Sequence, residues 1–248
     1  MRRGILITVL AVVAFAVIVI ARLPASWVVP DSSPLFSCGA VDGSIWSGTC
    51  TGLTAQGSAI GDVTWNVHAL RLLTGKLSGN VALTRATGSV HGDFDVGFDK
   101  AVTARNVQTS AFPLDDQAVR LLLPQNLRTL TGTASADIAL VRVVNNMVKQ
   151  IQGRFEVHDL QDHDRGEVTP LGSYSLTFPG DKPVGQLHDL GGPLGVEGTV
   201  TLKQDQPGID VDTYITTRPG APAAIVNQLQ VLAPDAQGRR EFATEMYF

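Results

Sequence analysis

Apolar and polar residues alternate along most of this chain. Gly61-Asp62-Val63-Thr64-Trp65-Asn66-Val67 is a plain case, and the same period of two recurs over 77–83, 90–98, 134–143, 155–157, 174–178, 196–202 and 209–215. Runs of this kind, bounded by Gly, Asp and Asn, predict half-buried strands with one wet face. Asp42-Gly43, Gly79-Asn80 and Gly92-Asp93 are the positions where turns or bulges are expected between them. Helical periodicity is confined to two short segments. In 114–123, Leu114, Ala118, Leu121 and Leu122 share a stripe, Asp115 and Asp116 fall in the first turn, and Pro124 stops the helix. In 222–232, Ile225, Val226, Leu229 and Leu232 share a face. Helices this short are expected to cap open ends of a sheet and bury one apolar stripe.

The other departure from period two is the start. Arg2 and Arg3 are followed by an uncharged run over residues 4–21, closed by Arg22. At about 1.5 Å per residue this run makes a helix of roughly 27 Å, close to the hydrocarbon thickness of a bilayer. The charges before it outnumber Arg22 behind it, and positive-inside asymmetry then puts the N-terminus in the cytoplasm. A cleaved signal peptide is the competing reading, with Ala14-Phe15-Ala16 as the small-x-small site. The apolar run continues through Val17 to Ile20, past the point where processing would end it. Pro24, Pro30 and Pro34 then make 22–37 an extended linker, with Trp27 as an interfacial anchor. The expected organisation is a cytoplasmic 1–3, a membrane span 4–21, a linker 22–37 and a β domain 38–248.

Charge and chemistry narrow the function classes. With Arg2 and Arg3 set aside, the body carries about −6 from its 23 Asp and Glu. That sign excludes a nucleic-acid partner, whose capture relies on displacing counterions with Lys and Arg, and by the same logic disfavours anionic headgroups. The two cysteines, Cys38 and Cys50, flank a Gly/Ser-rich stretch. In an oxidising compartment they predict one disulfide, a clasp of about 3 kcal/mol in the chain-entropy model. Their spacing fits neither C-x-x-C redox chemistry nor a four-ligand zinc site.

No phosphate-binding loop, nucleophile elbow or H-E-x-x-H occurs in the sequence. The dense polar cluster His158-Asp159-Leu160-Gln161-Asp162-His163-Asp164-Arg165 could share a divalent cation, but reads as a solvated loop, and His188-Asp189 is unremarkable. Accordingly, no catalytic residue, metal, cofactor or small-molecule substrate is expected.

The order of pieces carries a resemblance. Arg22-Leu23-Pro24-Ala25-Ser26-Trp27-Val28 follows the apolar run, then Gly43-Ser44-Ile45-Trp46-Ser47-Gly48, then Trp65-Asn66-Val67-His68-Ala69-Leu70-Arg71-Leu72-Leu73-Thr74-Gly75-Lys76-Leu77. This resembles the type II secretion system protein N family, which pairs an anchor and an L-P-A-x-W linker with G-x-x-W-x-G and W-x-L-x-P-x-x-L-L-x-G-x-L blocks. Ala69 stands where the pattern has proline. The match continues more weakly through 114–123 and 130–140. Gly43 and Gly48 allow tight turns on either side of Trp46, and Trp46 and Trp65 are expected as core anchors.

The resemblance implies a mainly β fold. It consists of one transmembrane helix, then a large, mostly antiparallel periplasmic sheet, as a curved groove or sandwich-like, with one or two short helices. It also implies a non-catalytic, single-pass inner-membrane component that supports assembly or coupling of the secretion platform. Its partners would be the bitopic L and M subunits and the outer-membrane secretin. Ala11, Ala14 and Ala21 would offer the span a close-packing side. The G-x-x-W-x-G element also occurs in AsmA-like proteins, so a periplasmic lipid-handling protein with an open apolar β groove is the alternative. A carrier would leave a continuous apolar trough, and an assembly module would fill it. A third reading, an outer-membrane barrel strand at 241–248 with Phe242 and Met246 at even spacing, is opposed by the charged neighbours and the N-terminal run.

Overall fold

The computed structural model describes residues 19–27, 36–123, 125–163 and 167–247. The predicted span at 4–21 lies outside them except for Val19 to Ala21, which are helical. Among the described residues, no helix is long and apolar enough to cross a membrane.

The body is one antiparallel sheet. Its strands are β1 (Phe36–Ser37), β2 (Ala40–Gly43), β3 (Ser47–Ala55), β4 (Ser58–Val67), β5 (Lys76–Arg85), β6 (Gly88–Gly97), β7 (Val102–Thr109), β8 (Phe112–Pro113), β9 (Leu130–Val144), β10 (Met147–Asp162), β11 (Thr169–Phe178), β12 (Val184–Gly191), β13 (Leu194–Leu202), β14 (Gly208–Thr217) and β15 (Arg240–Tyr247). Nearly every strand pairs with the next in sequence. β1 and β2 lie end to end along one side of β3, and β7 and β8 along one side of β9. The path begins at β1 and β2 and ends at β15, and no described pairing joins those edges into a barrel. Short links make this meander possible. Asn145 (φ 50°) and Asn146 (φ 64°) form the two-residue turn between β9 and β10, the primed geometry that follows strand twist and that Asn tolerates.

Register sorts the side chains into two faces, because directly opposed residues share a face. Leu77 opposes Val96, Val81 opposes Trp65, and Leu83 opposes both Val63 and Val90. Beyond them, Phe94 opposes Ala104, Val102 opposes Val143, and Val107 opposes Ile138. Phe155 and Leu176 continue this face, followed by Leu187, Val200 and Val211, and Thr213 opposes Phe242. One apolar face therefore runs from β3 to β15. The other face is polar: Asn66, Asn80, Asp93 and Arg105 lie in one row across β4–β7, and Glu156, Ser175, His188 and Glu197 in another across β10–β13.

Two helices cover part of the apolar face at one end of the strands. α1 (Gln117–Leu122) begins at Asp116, whose carboxylate accepts from Ala118 N–H at 2.8 Å, so the helix starts later than residue 114. It reaches from β8 toward β4, and Arg85 at the end of β5 pairs with Asp116 at 2.8 Å. Leu114 and Ala118 are buried, while the side chains of Leu121 and Leu122, and Pro124, lie outside the described residues. α2 (Ala223–Leu229) lies over Leu194, Ile215 and Phe242 at the same end and buries Leu229.

One of the turn-or-bulge expectations needs correction. Gly79-Asn80 lies inside β5, where no turn occurs, and glycine is required because a β-carbon at Gly79 would stand 2.2 Å from the Asn66 carbonyl oxygen. Gly92-Asp93 lies inside β6 at a register shift to β7, the bulge alternative expected there, and Asp42-Gly43 does end β2. Part of the polar run near His158 is also strand rather than loop. β10 continues through Asp162 past a bulge at Asp159 (φ 52°), and residues 164–166 lie outside the described set.

Candidate functional site

The apolar face of β3–β15 is the part of the molecule with unfulfilled physical demand. Among the described residues no large side chain is fully buried, although a face of this composition normally finds a second layer. Cys50, Phe178, Leu194 and Val200 are buried, while Leu77, Val81 and Val102 remain 38%, 40% and 43% exposed. Phe155 and Phe178 meet edge to face at 6.3 Å, one of the tighter spots on this face. Beneath α2 the face opens into a cavity of about 340 Å³ lined by Leu194, Ile215, Ile225, Leu229, Leu232 and Phe242. At about 3.3 Å per residue, strands of ten residues make the face roughly 33 Å tall.

The polar face offers a contrast, because its side chains satisfy one another. Arg105 pairs with Asp95, Asn106 donates to Asp93 at 2.9 Å, and His91 meets Gln108 at 3.1 Å. Lys203 bridges Asp210 at 2.7 Å and Glu245 at 2.9 Å, and these carboxylates hold its ammonium well above the usual lysine range. The pairing of Arg218 with Asp189 at 2.7 Å lies beside Tyr174, whose hydroxyl is pushed up to about 12 by burial and by the Asp189 charge. His158 reaches Glu156 at 3.4 Å. Among the described residues, no three His, Cys, Asp or Glu side chains gather at metal-binding distance.

Most residues singled out from the sequence gather at the end of the sheet opposite the helices. Trp46 is not a core side chain. It stands half-buried just before β3, and its indole N–H donates to the Ile20 carbonyl oxygen at 2.9 Å. Ile45 N–H donates to Leu23 C=O at 3.1 Å, and Pro24 bridges Ser44, so the G-x-x-W-x-G turn fastens the segment that follows the apolar run. Turn geometry explains the difference: Gly43 (φ 93°) and the Ser44-to-Ser47 hydrogen bond fold Trp46 outward, off the sheet face. Trp65, by contrast, does lie on the apolar face, over Gly48 and directly opposite it in register. Cys38 and Cys50 are joined, Cα to Cα 5.6 Å, tying the edge strands β1 and β2 to β3. Arg22 and Trp27 are exposed at this end, and Arg2 and Arg3 lie outside the described residues.

Sequence reasoning gave Leu70 and Leu73 no role beyond the resemblance block that contains them, and Phe98 none beyond closing an alternating run. They project from the β4–β5 and β6–β7 turns at the same end and are 81%, 86% and 86% exposed. The available signal was three leucines within Leu70-Arg71-Leu72-Leu73, between two strands and outside any alternating run.

No curated protein and no solved structure matches the chain. The family described as type II secretion system (T2SS), protein N, does match it, over residues 34–243, which takes in every strand of the sheet, though β15 only in part. The elements that carried the sequence resemblance, the Gly43–Gly48 turn and the Trp65–Leu77 block, lie within that span, and the chain belongs to the type II secretion system protein N family as a component of type II secretion.

Proposed function

We propose that this secretion component is a single-pass inner-membrane protein with its N-terminus in the cytoplasm and its sheet in the periplasm, supporting assembly or coupling of the secretion platform without catalysing a reaction. Arg2 and Arg3 before the uncharged run 4–21 support the orientation. The observation that carries the function is the uncovered apolar face from β3 to β15. A sheet that leaves such a face half-exposed is built to receive something apolar. Its outer edges, β1 and β2 on one side and β15 on the other, carry backbone groups with no strand partner among the described residues, which can take up a partner strand. Other platform subunits of the bitopic L and M type, and the outer-membrane secretin, are the partners this reading requires.

A second reading is favoured by one specific observation. The apolar face is continuous along the sheet, and the cavity under α2 is lined almost wholly by aliphatic and aromatic side chains. Acyl chains fit such a surface, which makes lipid handling the alternative occupation of the same face. Crosslinking the full-length protein in its native envelope, followed by mass spectrometry of attached proteins and co-purified lipid, separates the two. Secretion subunits without stoichiometric lipid support the scaffold; bound phospholipid without secretion subunits supports the carrier and overturns the scaffold.

A further inference from the structure

Three turns and the end of the N-terminal segment form a continuous rim at one end of the sheet. The β2–β3 turn holds Ile20 and Leu23 through Trp46 and Ile45. Trp46 C=O accepts from Val67 N–H at 2.6 Å, which links that turn to the end of β4. The β4–β5 turn (Ala69–Thr74) ends at Gly75, where an added β-carbon would lie 3.1 Å from the Phe98 ring, so the β4–β5 and β6–β7 turns touch. Four strand spacings put roughly 19 Å between the outermost of these turns.

On this rim stand Leu70, Leu73, Phe98 and Trp27, the last 75% exposed. Single exposed apolar residues are ordinary, but four large ones at one strand end form a patch. Charge distinguishes the patch further. Arg22, Arg71, Lys76 and Lys100 lie in or beside these turns against two carboxylates, Asp42 and Asp99, although the chain as a whole is at −4. The net sign of the body therefore conceals a local cationic surplus. The opposite end also exposes Val168, Leu190 and Val231, but there Asp115, Asp162, Glu167 and Asp235 offset Arg120, Arg128, Arg218 and Arg239, so it has no comparable cationic surplus.

We infer that this rim is a seat on an anionic bilayer surface, with Leu70, Leu73 and Phe98 entering the headgroup region and Arg71, Lys76 and Lys100 meeting lipid phosphates. The occupant follows from the attached chain: the rim grips Ile20 and Leu23, at the end of the apolar run 4–21, and thus lies where that run would leave a membrane. Large apolar side chains interleaved with Lys and Arg suit the boundary between headgroups and acyl chains. The strands then stand away from the membrane on this end, with α1 and α2 at the far end. The inference rests on reading 4–21 as a membrane anchor.

The test uses the full chain reconstituted in phosphatidylcholine vesicles containing phosphatidylglycerol. An environment-sensitive dye is placed in turn on Leu73→Cys, Phe98→Cys and, at the helix-bearing end, Gln237→Cys. The native cysteines are paired and do not take the label. With nitroxide-headgroup lipid present, the dye at 73 and at 98 shifts to the blue and loses emission, and the dye at 237 does neither. Unquenched emission at 73 and 98, in protein that still resists alkaline extraction, overturns the seat and leaves the anchor standing. A blue shift without quenching means a protein surface covers the rim and overturns it too, as does equal quenching at 237. Release of the protein by alkaline washing overturns the anchor reading and the seat together.

Discussion

A β-carbon at Gly48 would stand 2.5 Å from Cζ2 of Trp65 and 2.7 Å from the Asp42 carbonyl oxygen. The glycine therefore makes room for an indole on the next strand, and the tryptophan two residues before it faces elsewhere. Gly48→Val should lower stability by about 1–3 kcal/mol, the usual cost of forcing volume into a filled site, read as a fall in the urea midpoint at unchanged slope. Asp116 is a second residue with a defined task. Burial pushes its carboxyl up, but Ala118 N–H, the Arg85 guanidinium and Thr87 outweigh this and hold it below the ordinary 3.8. A carboxyl depressed by folding stabilises the protein above its unfolded pKa and loses that contribution as pH falls through the folded value. Asp116→Ala should cost about 1–2 kcal/mol at pH 7 through the lost cap and ion pair. Urea midpoints of variant and parent should converge once pH has fallen through the depressed folded-state value, and a gap that persists in still stronger acid would show that the carboxylate's charge is not what matters.

At the scale of elements, the disulfide makes edge strands out of two fragments too short to hold alone. β1 has two residues and β2 four, and the bond from Cys38 to Cys50 pins the bend between them to β3. Cys38→Ser with Cys50→Ser should cost about 3 kcal/mol and release β1 and β2 first. Amide exchange in Ala40–Gly43 should then rise well before exchange in β5 or β6; simultaneous loss of protection everywhere would mean the edge is not a separate unit. Strands were legible in the sequence where the period stayed unbroken, as in β4, β5, β13 and β14. β7 was not, because Asn106 (φ 52°) inserts a bulge between Ala104 and Val107 and shifts the alternation by one. β12 was hidden differently: Gly185 occupies its apolar face, since a β-carbon there would meet Leu176 and Phe178 at 2.8 Å. The outward turn of Trp46 depends on the backbone at Gly43, which a motif of two glycines and a tryptophan leaves open.

For the whole molecule, the question is what the apolar face meets. Alternation within one strand looks the same whether or not a second layer covers it, so the sequence could show which residues share a face but not that the face stays open. Covering it would remove a large apolar area from water, worth about 25 cal/mol per Å², which is ample to drive association. A charge placed there should be cheap for folding and costly for binding. Val81→Asp, at a position 40% exposed, should leave the urea midpoint within about 1 kcal/mol of the parent and abolish co-purification of the occupant. A large loss of stability instead would mean that this chain already covers the face.

The most direct measurement uses period two itself. A photo-crosslinking side chain is placed at Val81 or Phe94 on the apolar face, and at Asn80 or Asp93 on the polar one, in the full-length protein in its native envelope. Adducts from 81 and 94 to other secretion subunits, with none from 80 and 93, are the result this account predicts. Adducts confined to 80 and 93 would contradict it, since the partner would then sit on the face whose side chains already satisfy one another.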